Sequence, residues 1–207
     1  RYADRDDQDT TRHSAGLTLG QDLTERLRFN LTDTYLNSED PLEDTTDLQT
    51  VRRTRNKYWT NLARANLDYV FGEENRVGVG FAHEYRENDD PTLDNSRVRT
   101  PFADLAYWFD VRNGVVLNYS YVDVHYWKDE SLLPPSDDYT GNNGGVRYIR
   151  RFSPQSQVYI GYNYSTRDFD GIEEDYDVHD GLVGFEHAFS PEYSMGASAG
   201  YFIRVND

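Results

Sequence analysis

Residues 194–205 read SMGASAGYFIRV, and this short segment shows the pattern on which the whole chain is built. From Met195 onward, every second residue is apolar, and the residues between them are mostly small or polar. A period of two is the pattern of a β-strand that has one apolar and one polar face. A tilted strand of about 10 residues is long enough to cross a bilayer. The segment therefore predicts a membrane-crossing strand.

The same alternation recurs along the chain in about ten segments. Residues 63–69, 76–81, 115–121 and 158–165 show it clearly, whereas residues 139–151 are ambiguous. Short turns and longer acidic links alternate between the segments, with a repeat of about 40 residues. All the short turns fall at one end of the strands and all the long links at the other. This asymmetry is typical of outer-membrane barrels, which have short periplasmic turns and long extracellular loops.

The composition favours strands and excludes several classes of site. The chain has 17 Tyr and 10 Phe but 1 Met, so its apolar residues are of the kinds that favour strands. There is no cysteine, which excludes disulfides, thiolate metal sites and cysteine nucleophiles. The net charge of -16 argues against a nucleic-acid partner, because phosphate binding requires a concentrated cationic face.

A soluble β-barrel or sandwich would show the same alternation, but the polar positions favour a membrane barrel. They include charged residues that a dry protein core could hold only at a severe desolvation cost. A hydrated lumen accommodates such charges. We therefore predict a lumen charge network formed by Arg28, Arg64, Arg76, Arg147, Arg167, Arg204, Asp68, Glu84, Asp104 and Glu186.

Two roles for this network are open at the level of sequence. The arginines facing Asp and Glu could guide an anionic solute, such as an acidic polysaccharide, through the lumen. Alternatively, the charges could form ion pairs that hold the wall together or plug it. Aromatic residues at the strand ends form the predicted membrane-interface girdles. They are Phe71, Phe109, Phe152 and Phe189 on the turn side, and Tyr35, Trp59, Tyr85 and Trp127 on the loop side.

The predicted fold is all-β, an antiparallel transmembrane β-barrel in the outer membrane of a Gram-negative bacterium. We expect residues 1–207 to form a single segment of this barrel. If the short turns are periplasmic, both ends of the segment lie outside the cell, whereas a complete barrel has both termini inside. We therefore expect at least one further strand beyond each end, in a barrel of about twelve strands or more.

A family resemblance is carried by three stretches near the end of the chain: residues 162–170, residues 175–180 and the Phe189-Ser190-Pro191 turn. Together they resemble the β-barrel porins of proteobacterial exopolysaccharide and exosortase-associated gene clusters. Similar hairpins also occur in barrels that wrap multiheme cytochromes. The resemblance implies a surface-polysaccharide role or a passive pore, and it assigns no catalytic residues.

Two loop clusters suggest binding sites. The carboxylates Asp168, Asp170, Glu173 and Asp175 offer the hard oxygen ligands of a weak Ca²⁺ site, although their spacing does not match an EF-hand. A solvated acidic loop is the alternative.

The second cluster is basic and immediately precedes a strand on the loop side, where lipopolysaccharide phosphates lie. Its guanidinium groups are suited to phosphate contacts, and pairing with the neighbouring acidic loop is the alternative. The residues are Arg52, Arg53, Arg55 and Lys57.

Histidines near strand ends are candidate catalytic groups. His125, His179 beside Asp180, and His13 beside Ser14 each lack a second supporting constellation. We therefore expect no enzyme activity and no cofactor. The predicted function is a passive channel or export barrel for solute or polysaccharide, with outer-membrane lipid and lipopolysaccharide as its surroundings. The alternative is a scaffold that encloses or anchors a partner, such as a multiheme cytochrome or an envelope assembly component.

Overall fold

The computed structural model describes residues 11–39, 57–128, 136–190 and 192–206. In these ranges the regular structure is β. The ten strands are β1 (Arg12–Asp22), β2 (Leu27–Ser38), β3 (Tyr58–Phe71), β4 (Asn75–Asn88), β5 (Asn95–Trp108), β6 (Asn113–Trp127), β7 (Tyr139–Ser153), β8 (Ser156–Phe169), β9 (Tyr176–Ala188) and β10 (Ser194–Asn206). No helix long and apolar enough to cross a membrane occurs in this part of the chain.

All ten strands belong to one sheet, in which each strand pairs with the next along the chain. Every pairing is antiparallel, as in the pairs β1–β2 and β9–β10. The topology is therefore a simple meander of hairpins, as the alternation predicts. Strands β1 and β10 lie at the two edges of this sheet, which is not closed.

The strands are longer than the sequence pattern suggests. They span 11 to 15 residues, because they continue on the loop side past the point where one face is apolar. In β5, Leu105 and Ala103 are followed on the same face by Arg99 and Arg97. The alternation predicts a long acidic link around residues 87–100, and this prediction is wrong for residues 95–100, which belong to β5. The ambiguous segment near residue 139 is strand β7.

Strand register divides the sheet into two chemically distinct faces. Residues that oppose each other across a pair of strands lie on the same face. Leu67 is opposite Phe29 on β2 and Val79 on β4, whereas its neighbour Asp68 is opposite Arg28. We call these the apolar face and the polar face. The apolar face carries large exposed side chains, among them Val79 at 51% exposure.

Two rows of aromatic rings border the apolar face. On the loop side, Trp59 lies 5.9 Å from Tyr35 and 4.8 Å from Tyr85, measured between ring centroids. Tyr85 in turn lies 5.4 Å from Trp127. The turn-side row is formed by Tyr69, Phe71, Tyr107 and Phe109. Such rows are typical of the two interfaces of a membrane.

Local side-chain chemistry fixes the short turns. Gly72 has a φ of 68°, a left-handed conformation that glycine adopts without steric cost. In the next short turn, Asp110 accepts hydrogen bonds from the backbone N–H groups of Arg112 and Asn113, at 2.7 and 2.9 Å. The side-chain amide of Asn113 also donates to Asp110, and these bonds hold the pKa of the Asp110 carboxyl below its ordinary value. Both turns are thereby specified by local sequence.

Candidate functional site

The polar face brings together all of the charged residues predicted to line a lumen. Register alone establishes this placement, since Asp68 opposes Arg28, Gly78 opposes Asp104, and the pattern continues across the sheet. The ten residues are Arg28, Arg64, Asp68, Arg76, Glu84, Asp104, Arg147, Arg167, Glu186 and Arg204.

The polar face is basic although the chain is acidic. Across the ten strands it carries nine arginines and six carboxylates, a surplus of three positive charges in a chain of net charge -16. The acidic excess therefore lies elsewhere. The arginines are Arg12, Arg28, Arg64, Arg76, Arg86, Arg147, Arg151, Arg167 and Arg204, and the carboxylates are Asp22, Asp68, Glu84, Asp104, Asp180 and Glu186.

Ion pairing is concentrated around Arg76. Its Nη2 lies 2.7 Å from Asp104 Oδ2, and its Nη1 lies 4.0 Å from Asp68 Oδ1. Gly78 makes the close approach possible, because a Cβ at that position would lie 2.6 Å from Asp104 Oδ1. A glycine inside a strand often marks such a place, where another group approaches the backbone closely.

The other predicted carboxylates have different neighbours. Glu186 accepts a hydrogen bond from Gln157 Nε2 at 2.7 Å. Glu84 lies between two apolar residues, Leu62 on β3 and Val98 on β5. Arg28 Nε lies 3.8 Å from Asp22, a residue outside the predicted set. The predicted residues are therefore not joined in one continuous network of ion pairs.

Several arginines of the polar face lie over aromatic rings instead. The Cζ atom of Arg64 is 4.0 Å from the ring centroid of Phe102. Arg147 is 4.8 Å from the Tyr159 ring, and Arg204 is 3.8 Å from the Tyr176 ring. Arg167 lies 5.8 Å from the Tyr139 ring and donates to Asn143 Oδ1 at 3.1 Å. These contacts lie within the range of cation–π attraction.

Three of the rings on this face rest on a glycine of the adjacent strand. Phe102 opposes Gly80, Trp108 opposes Gly114, and Tyr159 opposes Gly184. At each glycine, a Cβ would overlap the opposing ring. Because glycine has no side chain, the opposing ring can lie against the sheet. The ring surface that faces away from the sheet is then accessible to an arginine.

The Trp108 ring carries Arg151, whose guanidinium carbon lies 3.5 Å from the ring centroid. Arg151 also binds Glu74 through two contacts, Nη1 to Oε1 at 3.0 Å and Nη2 to Oε2 at 2.8 Å. The hydrogen bond from Arg151 holds the pKa of the Glu74 carboxyl below its ordinary value. Sequence patterns did not predict a site at any of these three residues, since 77 positions separate Glu74 from Arg151.

Arg64 and Arg147 differ from Arg151 in having no protein acceptor. Both are exposed. Within the described ranges, neither guanidinium makes a hydrogen bond or lies within 4.0 Å of a carboxylate oxygen. Their N–H groups are therefore directed to solvent, while one surface of each guanidinium faces a ring.

Of the basic cluster predicted to contact lipopolysaccharide, Arg52, Arg53 and Arg55 lie outside the described residues. Lys57 is described and immediately precedes β3. Its Nζ lies 3.5 Å from Glu39 Oε1. Lys57 therefore forms an ion pair with Glu39, and contact of this cluster with lipopolysaccharide stays a prediction.

The four carboxylates predicted to bind calcium lie at the end of β8 and in the loop that follows it. Asp175 Oδ1 accepts the backbone N–H of Phe169 at 2.7 Å, which closes the loop between β8 and β9. Asp168 lies within β8, opposite Thr140, and the remaining predicted ligands are Asp170 and Glu173. In the part of the chain that the structure describes, no three His, Asp or Glu side chains are grouped so that they could hold a metal ion.

The histidines lie on the apolar face or its margins, and three of them contact one polar side chain each. His125 Nδ1 contacts the Asp138 carboxylate, and His179 Nδ1 lies 2.6 Å from the Tyr162 hydroxyl. A further pair, Ser156 Oγ and His187 Nδ1 at 2.7 Å, was not singled out from the sequence. Ser156 and His187 simply oppose each other in register.

A cleft of about 800 Å³ opens on the turn side, near β7 to β10. Arg151, Phe152, Glu186 and Met195 are among its lining residues. One wall belongs to β10, the strand at the edge of the sheet. Arg64 is not among the residues that line this cleft.

No protein-family model matches the sequence, and no curated protein matches it. Solved structures do match. In-vitro folded OmpT, described as an outer membrane protein of Vibrio cholerae, superposes with a TM-score of 0.54 at 11% identity, over 93% of this chain and 79% of that chain. A Pseudomonas aeruginosa FadL homologue gives 0.58 at 10% identity, over 96% and 61%. The CymD monoaromatic hydrocarbon channel gives 0.50 at 13% identity, over 95% and 70%.

At these identities the likeness concerns the fold. It confirms the predicted antiparallel transmembrane β-barrel architecture, of which the described residues form a ten-stranded open sheet. In this architecture the apolar face meets lipid and the polar face encloses the lumen. One of these neighbours is described as an outer membrane protein, and the predicted outer-membrane location agrees with the shared fold. The chain has the fold of the Gram-negative outer-membrane β-barrels.

Proposed function

We propose that this chain forms the wall of an outer-membrane channel through which hydrophilic solute passes without bond chemistry or a cofactor. The proposal is carried by the polar face, which holds charged residues on nine of the ten described strands. In a barrel these residues surround an aqueous pathway.

The nature of the polar face favours a hydrophilic solute. One neighbour, CymD, is named as a channel for monoaromatic hydrocarbons. Here, the exposed guanidinium groups of Arg64 and Arg147 lie on the face that would line the pathway. A hydrocarbon passing these groups would strip water from them, which costs free energy. A sugar or carboxylate would replace that water with hydrogen bonds, which agrees with the polysaccharide role implied by the family resemblance.

A working channel also needs a closed wall. The outer edges of β1 and β10 are unpaired in the described sheet, and unpaired backbone groups are not tolerated in hydrocarbon. We propose that further strands complete the barrel, giving about twelve strands or more. In support of a wider wall, the chain spans 61% of the FadL homologue.

Single-channel conductance of the intact protein in a planar bilayer tests the proposal. Stable conductance steps are expected, and their size bounds the pore width. Insertion without conductance would contradict a passive channel and favour a barrel that encloses or anchors a partner. Refolding into detergent micelles without subsequent insertion would contradict the membrane assignment itself.

A further inference from the structure

We infer that Arg64 and Arg147 are anion-binding residues that hold the carboxylate groups of a solute at the polar face. The inference rests on the proposed function only in assuming that solute reaches this face. It names the class of solute, a molecule carrying several carboxylates, and the two side chains that recognise it.

The first support is the way the two guanidinium groups are held. Arg64 lies 4.0 Å above the Phe102 ring, and Arg147 lies 4.8 Å from the Tyr159 ring. A ring beneath the guanidinium carbon uses none of the N–H donors at the rim of the group, which remain available. Those donors form a rigid fork that matches the two oxygens of a carboxylate.

The second support is that the rings beneath the two arginines are held in place by the sheet. Phe102 lies on Gly80, and a Cβ at that glycine would overlap the ring. Gly184 accommodates Tyr159 in the same way. Both rings and both arginines stand on strands paired on either side. Less side-chain freedom is therefore lost when an anion binds, and this favours affinity.

The third support is a third arginine on the same face that already holds an anion. Arg151 is stacked on Trp108 at 3.5 Å, above Gly114. Its fork binds the Glu74 carboxylate through contacts of 3.0 and 2.8 Å. The Glu74 carboxylate shows what an arginine in this setting binds. At Arg64 and Arg147 the ring and the glycine are present, while no described protein carboxylate occupies the fork.

The charge of the surroundings points the same way. The polar face has nine arginines against six carboxylates, so an entering anion reduces a positive excess. Arg64 is opposite Thr32 and Ala82, and Arg147 is opposite Val116 and Gly161. None of these opposing residues carries a negative charge that would compete with the solute.

Isothermal titration calorimetry on the intact protein in detergent tests the inference with two probes. Trigalacturonate supplies three carboxylates, and maltotriose is an uncharged trisaccharide. We expect trigalacturonate to bind at least about tenfold more tightly than maltotriose, since hydrogen bonds to charged groups are roughly twice as strong as neutral ones. Equal affinity for the two probes would overturn the inference.

Variants assign the binding to residues. The double variant R64Q/R147Q should lose about tenfold or more in trigalacturonate affinity, while R64K/R147K, which keeps charge without the fork, should fall between. The control is R12Q, which removes a positive charge at the edge of the same face. Heat-modifiable migration on gels confirms that each variant is folded. Unchanged affinity in folded R64Q/R147Q overturns the inference, and so does an equal loss in R12Q.

Conductance recordings separate this inference from the proposed function. If the protein conducts but R64Q/R147Q binds trigalacturonate like the parent, the channel proposal stands and the anion site is rejected. If the protein never conducts but R64Q/R147Q loses trigalacturonate binding in calorimetry, the anion site stands and the channel is rejected. The two ideas can thus fail independently.

Discussion

The carboxylate of Glu74 and the guanidinium of Arg151 form a two-contact pair of 3.0 and 2.8 Å across 77 residues of sequence. Glu74 belongs to the turn before β4, and Arg151 lies near the end of β7. In a flat sheet these strands would stand about 14 Å apart, because neighbouring strands are about 4.8 Å apart. The long side chains of Glu74 and Arg151 bridge that span, and the pair therefore links two non-adjacent strands at the turn side.

Removing either partner should break this link between the strands. We expect Glu74→Gln and Arg151→Gln each to lower the urea midpoint of unfolding. The double variant should be little worse than either single variant, since both remove the same contact. Unfolding followed by tryptophan fluorescence, with the four proteins compared as a cycle, measures the coupling. Additive effects would show that the pair contributes nothing.

The same pair should make stability depend on pH. The hydrogen bond that Arg151 donates lowers the pKa of the Glu74 carboxyl below its ordinary value of 4.5. When a carboxyl pKa is lower in the folded than in the unfolded state, the group stabilises the folded state at pH values above its unfolded-state pKa. This stabilisation is lost as the pH falls through the folded-state pKa. The parent protein should therefore lose more stability than Glu74→Gln between pH 6 and acid conditions. Parallel pH profiles for the two proteins would contradict the assignment.

Freeing Arg151 should create a third anion-binding arginine. In Glu74→Gln the Trp108 ring and the glycine beneath it, Gly114, remain, while the carboxylate that binds Arg151 is gone. We expect an increase in anion selectivity, seen as a shift of the reversal potential in a salt gradient across a planar bilayer. Arg151→Gln provides the control, because it removes the fork itself. A shift of the same size and direction in both variants would contradict the prediction.

The glycine beneath Phe102 should be intolerant of a side chain. A methyl group at Gly80 would overlap the ring, so Gly80→Ala should destabilise the protein by about 1–3 kcal/mol, as for other overpacked sites. Gly181→Ala is the matched control, since nothing lies within 4 Å of a Cβ there. Phe102→Leu should rescue part of the loss. Urea unfolding of the three single variants and the Gly80→Ala/Phe102→Leu double tests this, and equal destabilisation at both glycines would count against it.

The sequence was sufficient to predict the face of a charged residue wherever the opposite face of the strand is apolar. Alternation with a period of two assigns Arg64 and Asp68 to the same face without any knowledge of pairing. The same signal disappears where both faces are polar, as at Arg97 and Arg99 of β5, and for this reason the strands are longer than expected.

The arrangement of partners within the polar face could not be predicted. Arg64 on β3 reaches Phe102 on β5, and those strands are not neighbours in the sheet. Such contacts depend on register and on the direction in which each ring leans. Part of the signal was present in the glycines, since Gly80, Gly114 and Gly184 occupy polar-face positions where a strand would otherwise carry a side chain.

Two adjacent aliphatic residues of β9 give the sharpest test of the two faces. Leu182 lies on the polar face, opposite Gly161 and Gly200, while Val183 lies on the apolar face, opposite Ile160 and Ala199. Arginine on the lipid-facing side of a barrel costs about 2–4 kcal/mol near the bilayer midplane, whereas a hydrated lumen tolerates it. We therefore expect Val183→Arg to destabilise the protein in lipid vesicles by about that amount, and Leu182→Arg to be close to neutral.

The two losses of stability can be compared directly, because both substitutions replace an aliphatic side chain by arginine on the same strand. Strand propensity and backbone pairing change little between the two positions, so lipid contact is the main variable left. Unfolding in guanidinium from vesicles, followed by tryptophan fluorescence, measures it. If Leu182→Arg proved the more damaging, the apolar face would be the inside of the barrel, and Arg64 and Arg147 would face lipid instead of solute.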